Sequence, residues 1–188
     1  MTASHSRRPV VGVMGSSAQA FEDLAAPLGR WLASLGVHLL NGGGVGTMEA
    51  VSRAFATVSP RAGLVIGVLP ADLPDGIAVP RVGYPNSFVE LAIFTHLPLS
   101  GILGTDARSR NHINVLSSDA VIVLPGSEGT QSEMELAVRY GKPVIAYFGD
   151  HVVEWDVPEG VPVARTLAEI ERFVRGALAE TLPDTRRR

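Results

Sequence analysis

Between residues 10 and 178, short apolar runs alternate with stretches whose apolar residues recur every three or four positions. The runs at 10–14, 37–40, 64–69, 120–124 and 144–148 have strand length and little polar alternation, the mark of strands covered on both faces. Phe21, Leu24, Leu28, Trp31, Leu32 and Leu35 form one helical stripe that Gly36 ends. Met48, Val51, Phe55 and Val58 form a second, closed by Ser59 and Pro60. A third helix is expected from Thr105 or Asp106 to Ser117, with Ile113 and Leu116 inward. A fourth, holding Glu133, separates the last two strands, and Leu167, Ile170, Phe173, Val174 and Leu178 predict a closing amphipathic helix. Residues 88–97 are expected to form a further strand, although their pattern also suits a helix. Residues 70–87, interrupted by Pro70, Pro74, Pro80 and Pro85, read as a long surface loop, and 98–104 as another.

Strands alternating with helices predict a Rossmann-like α/β fold, an open parallel sheet with helices on both faces. It is expected as a single domain over residues 9–180, between an N-terminal tail (1–8) and a basic C-terminal tail (181–188). A chain of 188 residues, 46% hydrophobic and 19% charged, suits one full core. The net charge of −3 gives no general reason to bind nucleic acid, and Arg7, Arg8 and Arg186 to Arg188 read as solvated ends. With no cysteine, disulfides and thiolate metal sites are excluded. The five histidines show no metal-ligand spacing, so no metal is expected. No secretory signal and no apolar stretch of membrane-spanning length is present, so a cytoplasmic location is expected.

Candidate chemistry lies in three glycine-rich turns, each directly after a strand. In a parallel sheet these turns share the edge where ligands bind. The first offers Gly15, Ser16 and Ser17; the second offers Gly42, Gly43, Gly44, Gly46 and Thr47. The third, Pro125, Gly126, Ser127, Gly129 and Thr130, leads into the helix of Glu133. Free N–H groups and the positive helix end there suit a phosphate. Thr130 and Glu133 also fit a capping box, so Glu133 is either a ligand-facing carboxylate, a cap, or both. Arg110, with Asn111, is placed to face a phosphate while Arg108 points away. Glu49, Glu90 and Asp119 are further carboxylates, Asp119 the more structural by its position. His112 reads as a partly buried polar helix residue. Only one of the 16 basic residues is a lysine, Lys142, at the opposite sheet edge. A phosphate-loop lysine is therefore absent, and Schiff-base chemistry is disfavoured.

Arg110, the strand at 120–124 and the run from Pro125 to Glu133 resemble the LOG (Lonely Guy) family, whose hallmark is PGGxGTxxE after a strand with an arginine in the preceding helix. The resemblance implies a Rossmann-like nucleoside-monophosphate phosphoribohydrolase, in which Arg110 and Glu133 serve cleavage of the N-glycosidic bond. The family's older name, lysine decarboxylase, is opposed by the solitary lysine. Three departures stand out: Ser127 for the second motif glycine, Asn111 for the usual lysine, and a shorter segment at 42–50. They bring the chain nearer the molybdenum cofactor carrier branch, which binds a phosphate-bearing pterin without reacting on it. The resemblance thus implies a nucleotide- or phospholigand-binding protein requiring no cofactor, with a nucleoside monophosphate or a molybdopterin-type cofactor as ligand. The alternative is the LOG-type hydrolase. A homodimer is expected from family precedent and from exposed apolar helix positions.

Overall fold

The computed structural model describes residues 7–179. Its strands are β1 (Val10–Met14), β2 (His38–Asn41), β3 (Val65–Leu69), β4 (Ala71–Asp72), β5 (Val79–Pro80), β6 (Leu91–Phe94), β7 (Ala120–Val123), β8 (Val144–Tyr147) and β9 (Val163–Ala164). Its helices are α1 (Glu22–Leu35), α2 (Thr47–Ala56), α3 (Asn111–Leu116), α4 (Glu128–Arg139) and α5 (Leu167–Ala177). The main sheet runs β6-β3-β2-β1-β7-β8-β9, with every pairing parallel. This is the expected open α/β architecture.

Side-chain alternation divides the core in two. Val11, Val13, Ile122 and Leu124 pack beneath α1, α2 and α5 with Leu28, Leu32, Phe55 and Ile170. Met14, Val121 and Val123 face the opposite layer with Val115 of α3 and Met134 and Leu136 of α4. Each large side chain buried in this way contributes roughly 1.5–3 kcal/mol of transfer free energy.

Four local expectations are revised. The strand expected over 88–97 contracts to β6: Asn86 O accepts the Val89 N–H, and Thr95 Oγ1 turns back to Leu69 O. The helix expected from Thr105 or Asp106 begins only at Asn111. Asp106 instead closes a turn, its carboxylate accepting the Arg108 N–H at 2.8 Å and its carbonyl the Ser109 N–H. The long loop carries a small antiparallel β4–β5 ladder, tied by Arg81 to Asp72, Ala71 O and Pro98 O. A seventh strand of the main sheet, β9, was not expected.

Of the expected N-terminal tail, Arg7 and Arg8 are described: Arg7 forms an ion pair with Asp119, and Arg8 donates to Gly36 O. The basic C-terminal tail lies outside the described residues. Among the described residues, no helix is long and apolar enough to cross a membrane.

Candidate functional site

Successive strands step from β1 out to β2 and β3 on one side, and from β7 out to β8 and β9 on the other. The strand order therefore reverses between β1 and β7, and the crevice beyond their carboxyl ends is where open α/β sheets bind ligands. The first and third glycine turns meet there. Leu124 N–H donates to Met14 O at 2.8 Å and Ser16 N–H to Pro125 O at 3.2 Å. A Cβ on Gly126 would stand 2.7 Å from Thr130 Cβ and 3.1 Å from Ser16 N, so this contact requires glycine. The second turn supports the first from below. Thr47 N–H donates to Ser16 O and Thr47 Oγ1 to Gln19 O, both at 2.9 Å, while Gly46 adopts φ +68° against the same backbone.

A cavity of about 200 Å³ opens between these turns. Arg110, Asn111, Thr130 and Glu133 line it, as do Gly15, Ser17, Gly42, Ser127 and Gly129. Ser16, Pro125 and Gly126 instead line a neighbouring groove, and Ser17 and Ser127 border both spaces. Gly43, Gly44, Gly46 and Thr47 line neither. Gly43 packs on Leu69, Gly44 on Met48 and Tyr84, and Gly46 with Thr47 braces the Ser16 turn.

Arg110 enters the cavity from the turn preceding α3, and Arg108, on the surface, pairs with Asp106 at 3.4 Å. The guanidinium lies where a side chain on Gly42 would have to go, its Cζ only 2.8 Å from that Cβ position. It is 6% exposed. Nη1 donates to Asn111 Oδ1 at 3.2 Å and lies 3.7 Å from Glu133 Oε1. Among the described residues, no acceptor reaches Nε.

Glu133 does not form the capping box. Ser127, in extended conformation, precedes α4 and makes no side-chain cap, so the helix starts three residues ahead of Gln131 and carries Glu133 into its second turn. There the carboxylate accepts from Asn114 Nδ2 at 2.8 Å. Burial pushes the Glu133 pKa up, against the opposing pull of the Arg110 charge and the Asn114 hydrogen bond. Thr130 and Gln131 N–H both donate to Ser127 O, which leaves the Glu128 and Gly129 N–H groups as orphans of the helix start; Gly129 lines the cavity and Glu128 the neighbouring groove.

The other singled-out residues lie elsewhere. Asp119 accepts the Val10 N–H at 2.8 Å and pairs with Arg7. Glu90 binds Arg61 at 2.6 Å and the Val65 N–H, which outweigh burial and hold its pKa below the usual value. Lys142 Nζ donates to Leu116 O and Ser118 O, both at 2.8 Å. His112 Nδ1 lies 2.6 Å from the Tyr140 hydroxyl, and Glu49 lines neither space. Among the described residues no metal-binding group of His, Asp and Glu comes together.

Tyr84, Asn114 and Trp155 belong to the site region but escape a sequence reading. Asn114 alone carries a signal, standing four residues after Arg110, and its N–H donates to Arg110 O. Tyr84 is brought to the cavity by Asn86, whose Nδ2 donates to Gly44 O at 2.7 Å and whose N–H donates to Gly43 O.

The sequence profile of the SLOG cluster4 family matches residues 8–168. An uncharacterized protein of Archaeoglobus fulgidus is 31% identical over 146 residues, 77% of this chain and 83% of its own. The molybdenum cofactor binding protein of the phototrophic bacterium Rippkaea orientalis is 30% identical, with a TM-score of 0.69 over 92% of this chain and 98% of that one. The molybdenum cofactor (Moco) carrier protein of Chlamydomonas reinhardtii is 28% identical, with a TM-score of 0.67 over 93% and 99%. The match spans the sheet and all three turns, and the chain belongs to the SLOG cluster4 family, within the superfamily of LOG and molybdenum cofactor carrier-like proteins.

Proposed function

We propose that the protein binds a small phosphate-bearing ligand, a nucleoside monophosphate or a molybdopterin-type cofactor, in the cavity between the turns and holds it unchanged. The observation that carries this is Arg110: a buried guanidinium with an unpaired Nε, lining the same cavity as Gly129 at the start of α4. A buried charge without its full set of acceptors is costly, and a phosphate supplies them in bidentate geometry. The pterin cofactor would here be cargo, as the name of the Chlamydomonas carrier protein suggests. Calorimetric titration with adenosine monophosphate and with a molybdopterin-type phosphoester tests this. Arg110→Ala should weaken binding about 10- to 100-fold, the worth of a hydrogen bond to a charged group. Equal affinity in the variant would remove Arg110 from the site.

A second reading is hydrolysis of the N-glycosidic bond of a nucleoside 5′-monophosphate. It is favoured by Glu133, whose raised pKa lets it exchange a proton beside Arg110. Incubation with adenosine monophosphate and N6-modified monophosphates, followed by chromatography for free base, separates the two. Turnover that disappears in Glu133→Gln would make hydrolysis the main function; tight binding without turnover would end that reading.

A homodimer would cover Leu91, Ile93 and Phe94, which are 47%, 39% and 60% exposed on the edge strand β6. A monomer mass by light scattering would exclude it.

A further inference from the structure

The groove beyond Ser17 and Ser127 differs in chemistry from the Arg110 cavity. It measures about 480 Å³, against about 200 Å³. Its apolar wall holds Phe21, Val153 and Trp155, and its polar rim holds Glu128 and Glu154 with no basic residue among the lining.

Both aromatic residues are fixed in place. Trp155 Nε1 donates to Gly126 O at 2.8 Å, and its ring stands edge-on to Phe148 at 5.7 Å, yet it remains partly exposed. Phe21, the residue that caps the start of α1, holds φ +42°, a left-handed conformation unfavourable for a bulky residue. Its carbonyl accepts the Leu24 and Ala25 N–H groups, and its ring meets His151 at 4.9 Å. His151 Nε2 in turn reaches Asp23 at 2.8 Å, tying the segment that carries Trp155 to the start of α1.

We propose that this groove is the ring compartment of the ligand: it takes a flat heteroaromatic group bearing exocyclic amines and rejects a second phosphate. This rests on the phosphoester reading above. The Arg110 cavity is smaller than the roughly 300–1,000 Å³ usual for small-molecule sites. It has room for the phosphate and the carbons next to it, and Ser17 and Ser127, which border both spaces, give the rest of the ligand a path into the larger groove. Beyond them, the exposed part of Trp155 offers a stacking surface. Glu128 and Glu154 accept hydrogen bonds from ring amines, and a triphosphate seated in the small cavity by its terminal phosphate would bring its inner phosphates into the groove, where the two carboxylates repel them. The two compartments therefore orient the ligand by charge, phosphate toward Arg110 and amines toward the two glutamates. Purines and pterins share this chemistry.

The test uses Trp31→Phe in the full chain, which leaves Trp155 as the sole tryptophan. Adenosine monophosphate, neopterin monophosphate, ribose 5-phosphate and adenosine triphosphate are titrated by fluorescence and calorimetry. The ring-bearing monophosphates should change Trp155 emission, and the stronger response identifies purine or pterin as the ring. Ribose 5-phosphate should bind without that change, and the triphosphate at least tenfold more weakly than the monophosphate. Trp155→Ala should weaken the ring-bearing ligand about 5- to 150-fold, the range for one base stacked on an aromatic residue, and at least five times more than it weakens ribose 5-phosphate. Glu154→Arg, at an exposed position, should narrow the discrimination against the triphosphate.

Silent Trp155 emission together with equal losses for ring-bearing and ringless ligands would overturn the ring compartment while leaving the phosphate site standing. If none of the four probes binds, the phosphate reading falls and the ring compartment with it.

Discussion

Glu133→Gln converts one buried carboxyl into a measurable slope of stability against pH. The side chain is about one-tenth exposed and lies 3.7 Å from the Arg110 guanidinium. At an effective dielectric constant near 20, that separation favours the ionised form by roughly 4–5 kcal/mol. The Asn114 hydrogen bond favours it further, yet burial outweighs both and raises the folded-state pKa. Between the unfolded and folded values, the native protein keeps a proton that the unfolded chain has released. Stability contributed by Glu133 is therefore full below the unfolded value and declines as pH rises through the folded one. Glutamine has no such dependence, and Arg110 stays charged throughout, so its altered pairing adds only a constant offset. The melting temperature of Glu133→Gln minus that of wild type should thus climb between pH 4 and pH 8. Every tenfold by which folding weakens the acid is worth about 1.4 kcal/mol, or about 3–6 °C for a chain of this length. Scanning calorimetry at 0.15 M salt, in steps of one pH unit, reads the difference. A flat or falling difference would show that Arg110 and Asn114 prevail over burial, and would refute the reasoning.

Gly126→Ala places a methyl group against Thr130 and Ser16 N, and should cost about 1–3 kcal/mol in urea unfolding while abolishing ligand binding; a neutral result would show that the two turns separate freely. Asn86→Ala removes the donor to Gly44 O and should speed hydrogen exchange around Gly43 and Tyr84, with β7 unaffected. Lys142→Met should lose about 1 kcal/mol of stability by freeing the Leu116 and Ser118 carbonyls, with ligand affinity unchanged by calorimetry.

The sheet is legible in the sequence where strands are buried on both faces, because β1, β3, β7 and β8 cannot afford polar alternation. β9 is too short at two residues to leave a pattern. The start of α3 misleads because Asp106 serves equally well to cap a helix or close a turn, and Arg108 and Ser109 supply the turn's hydrogen bonds. The spacing of Thr130 and Glu133 matches a capping box, but helix phase depends on where the chain leaves β7, and Ser127 starts α4 too early. A true capping box forms at Thr166 and Glu169, where Thr166 N–H donates to Glu169 Oε2 at 2.8 Å. The three turns and Arg110 announce themselves through glycine and charge. Tyr84 and Trp155 do not, since each arrives by a tertiary contact, to the Gly44 and Gly126 backbone respectively, that no local spacing encodes.

The pairing of β1 with β7 has a consequence for how the molecule is made. Val10 and Asp119 are joined across 109 residues of chain at one end of this pair, and Ser16 meets Pro125 at the other, so the two turns come together only after a long loop has closed. Such non-local pairing is slow, and an N-terminal fragment that ends before Pro125 lacks one wall of the crevice. Competence to bind at the crevice thus requires that long-range closure. A ligand of the proposed site would stabilise the finished fold alone, by about 2.7 kcal/mol at a hundred times its dissociation constant. The crevice serves as the keystone of the sheet, and a ligand of the proposed site would gauge how much of the protein has completed folding.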